Sequence, residues 1–343
     1  MSGGELYGLI MAGGRGTRFW PVSTRSNPKQ FLNLLDDSTM LQMTAERLRG
    51  LCPDDHVLVV TGSSYRKTVA AQLPWIPEEN VLLEPMGRNT APCIAWGAQA
   101  LSRRAPDGAV MLVVPSDHSI DDKAGFESTV RVAVNAAEKG YLTTIGVPPT
   151  RPATGYGYLK RGKRIMDGAW KVAEFKEKPD LKTARDYLDQ GCYLWNAGMF
   201  VWKVEEIIGS MRSFLPDLAE GVAGLGEVTF PSADRYRELP SVSVDYGIME
   251  KASNVAMVEA LFGWDDVGDW PAMRRVGVRK GEVILQDCGS CTVYGPGRLT
   301  VLLGMSDCSV VHSNGITLVM SDEHAQDLKK LVARLEKERP DLV

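Results

Sequence analysis

Long apolar runs are missing from this chain: none approaches the length that spans a bilayer. Its start, Met1-Ser2-Gly3-Gly4-Glu5, has neither the basic nor the apolar region of a signal peptide. Both absences predict a cytoplasmic protein with no membrane partner. An excess of positive charge is missing too. With 39 Lys and Arg against 43 Asp and Glu, the net charge is −4, which offers no electrostatic footprint for nucleic acid. Cysteine is sparse and scattered (Cys52, Cys93, Cys192, Cys288, Cys291, Cys308), and only Cys288 and Cys291 stand at C-x-x-C spacing. A zinc site wants a second such pair or nearby histidines, and Cys308 with His312 is a poor substitute. Buried, reduced thiols are therefore expected. Two nucleotide fingerprints are also absent, the P-loop G-x-x-x-x-G-K-[ST] and the dinucleotide G-x-G-x-x-G. The second absence disfavours a nicotinamide dehydrogenase.

What is present points to a phosphate site. Leu9-Ile10-Met11-Ala12 is a short apolar run that meets Gly13-Gly14-Arg15-Gly16-Thr17-Arg18 and continues to Pro28-Lys29-Gln30-Phe31. It reads as a strand ending in a glycine-rich loop, where glycines bring backbone N–H groups close to an anion. Arg15, Arg18 and Lys29 add positive charge where those groups would point.

The next stretch alternates. Strands are predicted over 56–61, 81–84, 110–114 and 142–147, with helices over 39–48, 91–103 and 126–139 and a helix capped by Ser63 or Ser64 between them. This pattern implies an α/β fold with a doubly wound, mixed but mostly parallel sheet, whose ligands sit at the carboxyl ends of strands. The glycine-rich loop, the loop 84–90 and Asp117 all follow strand ends. Further on come a glycine–aromatic turn at 154–158, strands up to 178, a helix over 180–190, a strand over 191–202, a helix over 243–252 and a strand over 256–261. From about residue 281 short strand-like pieces with Gly, Asp and Asn turns suggest a small β domain, closed by an amphipathic helix over 325–335.

Two acidic positions stand out. Asp117 follows the best strand, and Asp266 lies in an acidic aromatic loop; hard oxygen ligands on separate loops suit Mg²⁺ alongside phosphate oxygens. Asp265 and Asp269 read as surface turn acids. Trp195, Phe200 and Trp202 read as core, and His118 as structural.

Gly13-Gly14-Arg15-Gly16-Thr17-Arg18-Phe19-Trp20-Pro21 with Pro28-Lys29-Gln30-Phe31-Leu32 resembles the signature of the mannose-1-phosphate guanylyltransferases. Glu84-Pro85, Arg88-Asn89-Thr90-Ala91-Pro92, Asp117-His118, Thr154-Gly155-Tyr156-Gly157-Tyr158, Glu177-Lys178-Pro179, Trp195-Asn196-Ala197-Gly198-Met199-Phe200, Ser243-Val244-Asp245-Tyr246 and Asp266-Val267-Gly268 follow in family order. The resemblance implies transfer from GTP to mannose 1-phosphate, giving GDP-mannose and pyrophosphate. It implies a Rossmann-like nucleotidyltransferase domain over 1–275, with a nucleotide-binding part (1–150) and a sugar-phosphate-binding part (151–275). A small left-handed β-helix-like domain with a terminal helix (276–343) would follow. It also implies a homodimer, and a monofunctional enzyme without an appended isomerase domain. Rival readings are another sugar-1-phosphate nucleotidyltransferase or a silent sugar-nucleotide sensor.

On this reading Arg18, with Arg15 and the backbone of Gly13, Gly14, Gly16 and Thr17, takes the triphosphate. Lys29 stands at the reacting α-phosphate, Asp117 and Asp266 hold Mg²⁺, and Lys178 pairs with the sugar phosphate. Gly157, Glu177 and Asn196 take the sugar hydroxyls. Glu84 is the acceptor for guanine, with Asn89, Thr90, Ala12 and Gly13 nearby.

Overall fold

The computed structural model describes residues 4–105, 108–226 and 228–343. The first three residues of the predicted leaderless start, Met1, Ser2 and Gly3, lie outside them. In chain order the strands are β1 (Glu5–Ala12), β2 (Val57–Gly62), β3 (Val81–Glu84), β4 (Ala109–Pro115), β5 (Ser119–Ile120), β6 (Leu142–Val147), β7 (Tyr158–Met166) and β8 (Ala169–Lys176). They continue as β9 (Tyr193–Lys203), β10 (Val255–Glu259), β11 (Trp264–Asp265), β12 (Lys280–Gln286), β13 (Cys291–Leu303), β14 (Cys308–Ser313) and β15 (Ile316–Ser321). The helices are α1 (Met40–Leu48), α2 (Arg66–Gln72), α3 (Thr90–Arg104), α4 (Lys123–Ala137), α5 (Leu181–Gln190), α6 (Val204–Phe214), α7 (Pro216–Ala223), α8 (Ala233–Glu238), α9 (Trp270–Arg275) and α10 (Leu328–Glu338). No described helix is long and apolar enough to cross a membrane.

The chain forms two compact units. One comprises Met1–Gly13, Thr44–Ser116 and Ile120–Trp264; the other comprises Gly14–Met43, Asp117–Ser119 and Asp265–Val343. The first holds a nine-stranded sheet in the order β3-β2-β1-β4-β9-β6-β10-β8-β7. β1 to β4 pair in parallel, as the alternating pattern predicts. β9 then runs antiparallel to both β4 and β6, and β8 antiparallel to β10. The sheet is mixed but mostly parallel. Its central strands read as continuous apolar runs because both faces are covered: Leu9, Val60, Met111 and Trp202 pack in one core with Trp96, Ile207 and Tyr236.

The second unit builds its core from the glycine-loop segment and the end of the chain, with Phe19, Trp20, Leu34, Trp270, Tyr294 and Val332 packed together. Trp270 is fully buried, and a side chain of that size contributes roughly 3 kcal/mol when withdrawn from water. β12, β13 and β14 stack in parallel, with Ile284 beside Val301 and Cys291 beside Cys308, so one coil takes 17 residues. That repeat makes a small β-helix-like sheet, closed by antiparallel β15.

Several local expectations change. The predicted helix over 243–252 is a five-residue π-helical turn, Asp245–Met249, and the helix expected from 325 is a 3₁₀ segment, Asp322–Asp327, before α10 begins. Ser63 and Ser64 do not cap α2; they form a 3₁₀ turn, and Tyr65 precedes the helix without a side-chain cap. α6, α7 and α8 fill a region that the sequence reading leaves without elements.

Candidate functional site

In the second unit the glycine-rich loop forms one wall of a cavity of about 530 Å³, lined by Arg15, Gly16, Thr17, Arg18, Lys29, Asp117 and Asp266 among others. Gly14 stands beside it, its carbonyl accepting from Gln30 Nε2 at 2.9 Å. Only glycine fits at position 16. Its φ is +60°, and a Cβ there would lie 2.5 Å from Lys29 Cβ and 2.8 Å from the Lys29 amide nitrogen. The turn Thr17–Phe19 that follows aims Arg18 into the cavity. Arg18 Nη1 donates to the Gly268 carbonyl at 3.2 Å, whereas its buried Nε finds no acceptor in the protein. A buried donor without a partner is uncommon and marks a place for a ligand oxygen.

Lys29 is 4% exposed and organises both acids. Its Nζ donates to the Asp117 carboxylate (2.8 Å), the Asp117 carbonyl (3.0 Å) and the Asp266 carbonyl (2.9 Å). An ammonium has three protons, so all are engaged. Burial alone would raise the Asp117 carboxyl, but the Lys29 and His118 charges and the Lys29 hydrogen bond outweigh it and hold it below the usual range. Asp266 is aimed by a strained turn: Val267, β-branched and fully buried, has φ +45°. That turn is pinned by Asp265, which accepts from the Val267 amide at 2.7 Å and is clamped by Arg275 at 2.7 and 3.2 Å. Asp265 is thus a buried, paired acid rather than the surface turn acid expected; its partner Arg275, ten residues on, leaves no local pattern in the sequence. Asp269 N-caps α9 through the Ala272 amide.

The first unit gathers two further groups. In one, Gly157 just before β7 and Glu177 and Lys178 just after β8 meet Asn196 on β9. A Cβ at position 157 would lie 2.4 Å from Glu177 Oε2, so the glycine makes room for that carboxylate. Glu177 Oε1 accepts from Lys178 Nζ at 2.6 Å, and Oε2 is buried without a partner, an acceptor awaiting a hydroxyl. Burial alone would lower the Lys178 ammonium, but the Glu177 contact and Asp245 raise it. Asn196 is held on both sides. Its Oδ1 accepts from the Thr144 hydroxyl (2.7 Å) and the Gly198 amide (3.2 Å), and its Nδ2 donates to Asp245 (2.8 Å). One amide proton is left for a ligand. Asp245, which opens the π-helical turn, is pushed up to about 6 by burial and then by Glu177. The family-order match contains Asp245, but only the fold gives it this role. Trp195, Phe200 and Trp202 are buried core, as expected.

In the other group Glu84 ends β3, 5% exposed, and burial pushes its carboxyl up to about 7 against the hydrogen bond from the Tyr236 hydroxyl. A Cβ on Gly13 would stand 3.2 Å from Glu84 Oε2, so the two share one space. The Ala12 carbonyl accepts from the Thr61 hydroxyl at 2.9 Å. Asn89 and Thr90 use their side chains within the fold. Asn89, at φ +69°, caps α3 by accepting from the Thr90 amide, and the Thr90 hydroxyl accepts from the Val244 amide at 2.9 Å.

A buried cation that holds one aspartate by its carboxylate and a second by its backbone beside a glycine-rich loop, with an orphaned guanidinium donor, is the equipment of an enzyme that handles phosphate esters. The chain belongs to the nucleotidyl transferase family, whose model matches residues 7–280, followed over 281–335 by a match to the MannoseP isomerase/GMP-like beta-helix domain. Within that family it stands with the mannose-1-phosphate guanylyltransferases. It is 37% identical to the mannose-1-phosphate guanylyltransferase of Klebsiella pneumoniae over 95% of this chain and 73% of that one. It is 39% identical to the xanthan biosynthesis protein XanB of Xanthomonas campestris pv. campestris over 96% of this chain and 73% of that one. Among solved structures it is similar to mannose-1-phosphate geranyltransferase from Thermus thermophilus, at 34% identity and a TM-score of 0.88, over 97% of this chain and 99% of that one.

Proposed function

We propose that this protein joins GTP and mannose 1-phosphate to give GDP-mannose and pyrophosphate. The observation that carries the reading is the cavity of the glycine-rich loop, with the orphaned Arg18 Nε and with Lys29 bound to the Asp117 carboxylate and the Asp266 backbone carbonyl. A phosphate oxygen of the sugar attacks the α-phosphorus in line. The new P–O bond forms as the bond to the bridging oxygen breaks, and its electron pair leaves with pyrophosphate. The second pKa of such a phosphate monoester is about 6, so the nucleophile is largely ionised at neutral pH and needs no protein base. Positioning and charge neutralisation remain for the protein.

Arg15, Arg18 and the backbone over 13–17 are assigned to the triphosphate and the leaving group, and Lys29 to the α-phosphate, which it reaches by exchanging one of its protein acceptors. Lys178 takes the sugar phosphate. Gly157, Glu177 and Asn196 take the sugar hydroxyls, supported by the unpartnered Glu177 Oε2 and the single remaining amide proton of Asn196. Glu84 accepts from the guanine N1–H and N2–H₂ group, with Ala12, Gly13, Asn89 and Thr90 assigned around it. Among the described residues no three His, Cys, Asp or Glu side chains are grouped to hold a metal alone. Asp117 and Asp266, two carboxylates lining one cavity, fit Mg²⁺, which keeps water and phosphate oxygens in its shell. Bound there, Mg²⁺ supplies neutralisation of the transferring and departing phosphates.

Pyrophosphate release measured across nucleoside triphosphates and hexose 1-phosphates tests the reaction; faster turnover with UTP or dTTP than with GTP overturns it. Asp117→Asn and Asp266→Asn are each expected to lower kcat by about a hundredfold or more while nucleotide affinity changes far less. Near wild-type rates in either variant remove that residue from the metal site. Lys178→Ala raises the KM for mannose 1-phosphate, and an unchanged KM contradicts its role. A cytoplasmic homodimer completes the reading. The location is supported by a GTP substrate and six unpaired thiols, and is checked by fractionation. The dimer is supported by the exposed apolar side chains Ile284, Leu299, Val301, Leu303 and Val319 on the β-helix-like sheet.

A further inference from the structure

The cavity around the glycine-rich loop has a wall that no motif announces. Lys329, Val332, Ala333 and Glu336 of α10 line it together with Arg15 and Arg18. Positions 329, 333 and 336 recur at helical spacing and form one stripe, while Leu328 and Val332 are buried in the core with Phe19 and Trp20. The helix is therefore fixed by packing. The Trp20 indole N–H, donating to the Leu342 carbonyl at 2.8 Å, ties the chain beyond it to the same segment. Glu336 forms an ion pair with the Arg15 guanidinium, across 321 residues of sequence.

We propose that α10 is a working wall of the triphosphate site: Lys329 binds the pyrophosphate end of the nucleotide, and Glu336 is the counter-ion that the triphosphate displaces from Arg15. The proposal rests on the reading of this cavity as the triphosphate site. The Arg15 side chain is 52% exposed and that of Glu336 35%, so the pair is well solvated and weakly held. A di- or triphosphate carries more negative charge than one carboxylate and presents oxygens that match the guanidinium fork, so exchange runs toward the phosphate. Glu336 thus keeps Arg15 parked on the helix until an anion arrives. Lys329, exposed at the cavity margin, adds a point charge on a flexible stem, suited to a departing pyrophosphate.

Calorimetric titration of the whole protein with inorganic pyrophosphate at fixed salt tests this. Lys329→Ala is expected to raise Kd about tenfold, the loss of one phosphate-directed charge. Lys330→Ala serves as the control: it removes a neighbouring cation that pairs with Asp327 at 2.7 Å and does not line the cavity, and its Kd stays that of the wild type. Glu336→Gln is expected to lower Kd about threefold, because Arg15 no longer has a competing carboxylate. Matching thermal melts show that the variants are folded. A wild-type protein that binds no pyrophosphate brings down the phosphate reading of the cavity and this proposal with it. Wild-type binding with Lys329→Ala within twofold, or with Glu336→Gln binding more weakly, overturns the role of α10 alone.

Discussion

Gly16 illustrates how much a single position can carry. A left-handed φ and a Cβ contact at 2.5 Å both forbid a side chain there. Gly16→Ala is expected to cost about 1–3 kcal/mol of stability, read by urea denaturation, and to abolish most turnover because Arg18 and Lys29 shift together. Glu84 makes a different trade. Its carboxyl is raised from an ordinary 4.5 to about 7 by burial, so the folded protein holds a proton that the unfolded chain has released. The stability from that proton is fully present below 4.5 and is lost as pH rises through 7. Guanine needs the ionised form. The KM for GTP should therefore rise as pH falls from 8 to 6, while Glu84→Gln should raise the melting temperature at pH 8 by a few degrees and weaken GTP binding; a pH-independent KM removes Glu84 from the base site. Arg15, Arg18, Lys29 and Asp117 were legible because cations beside glycines, or an acid after a buried strand, have few other uses. Asp265, Tyr236 and Asp245 were not legible in their roles, since each acts through a partner distant in sequence or placed by the fold.

Elements divide along the same line. α3 is announced by its N-terminus, where Asn89 both adopts positive φ and caps the first turn. Asn89→Gly should be nearly neutral for stability, because glycine accepts that φ, whereas Asn89→Ala should cost about 1–2 kcal/mol, measured as a shift in urea midpoint. If Asn89 also touches the nucleotide, the glycine variant will still raise the KM for GTP. The parallel strands β1 to β4 were legible from length and apolarity. β9 was legible as a strand, but not as one running against β4 and β6, because side-chain pattern carries no direction. α6 went unread although Val204, Ile207 and Met211 are buried at helical spacing, and the 243–252 segment kept its helical signal while the structure widened it into a π turn.

At the scale of the whole molecule, the β-helix-like sheet leaves Val301 60% and Leu303 66% exposed, beside Ile284 on β12. Val301→Lys with Leu303→Lys should convert the proposed dimer to monomer in light scattering while leaving the second unit's buried core intact; a wild-type monomer overturns the dimer. The family, the reaction class and the glycine-loop residues follow from sequence alone, since local backbone constraints and phosphate chemistry leave few residue types suitable at those positions. Only the tertiary structure decided that Lys29 reaches the Asp117 carboxylate and the Asp266 backbone carbonyl at once, that Glu177 keeps a lone buried oxygen facing Gly157, and that a C-terminal helix pairs with Arg15. Those arrangements arise when core packing brings together segments from twenty to more than three hundred residues apart, and such contacts leave no periodicity or spacing along a single chain to be read.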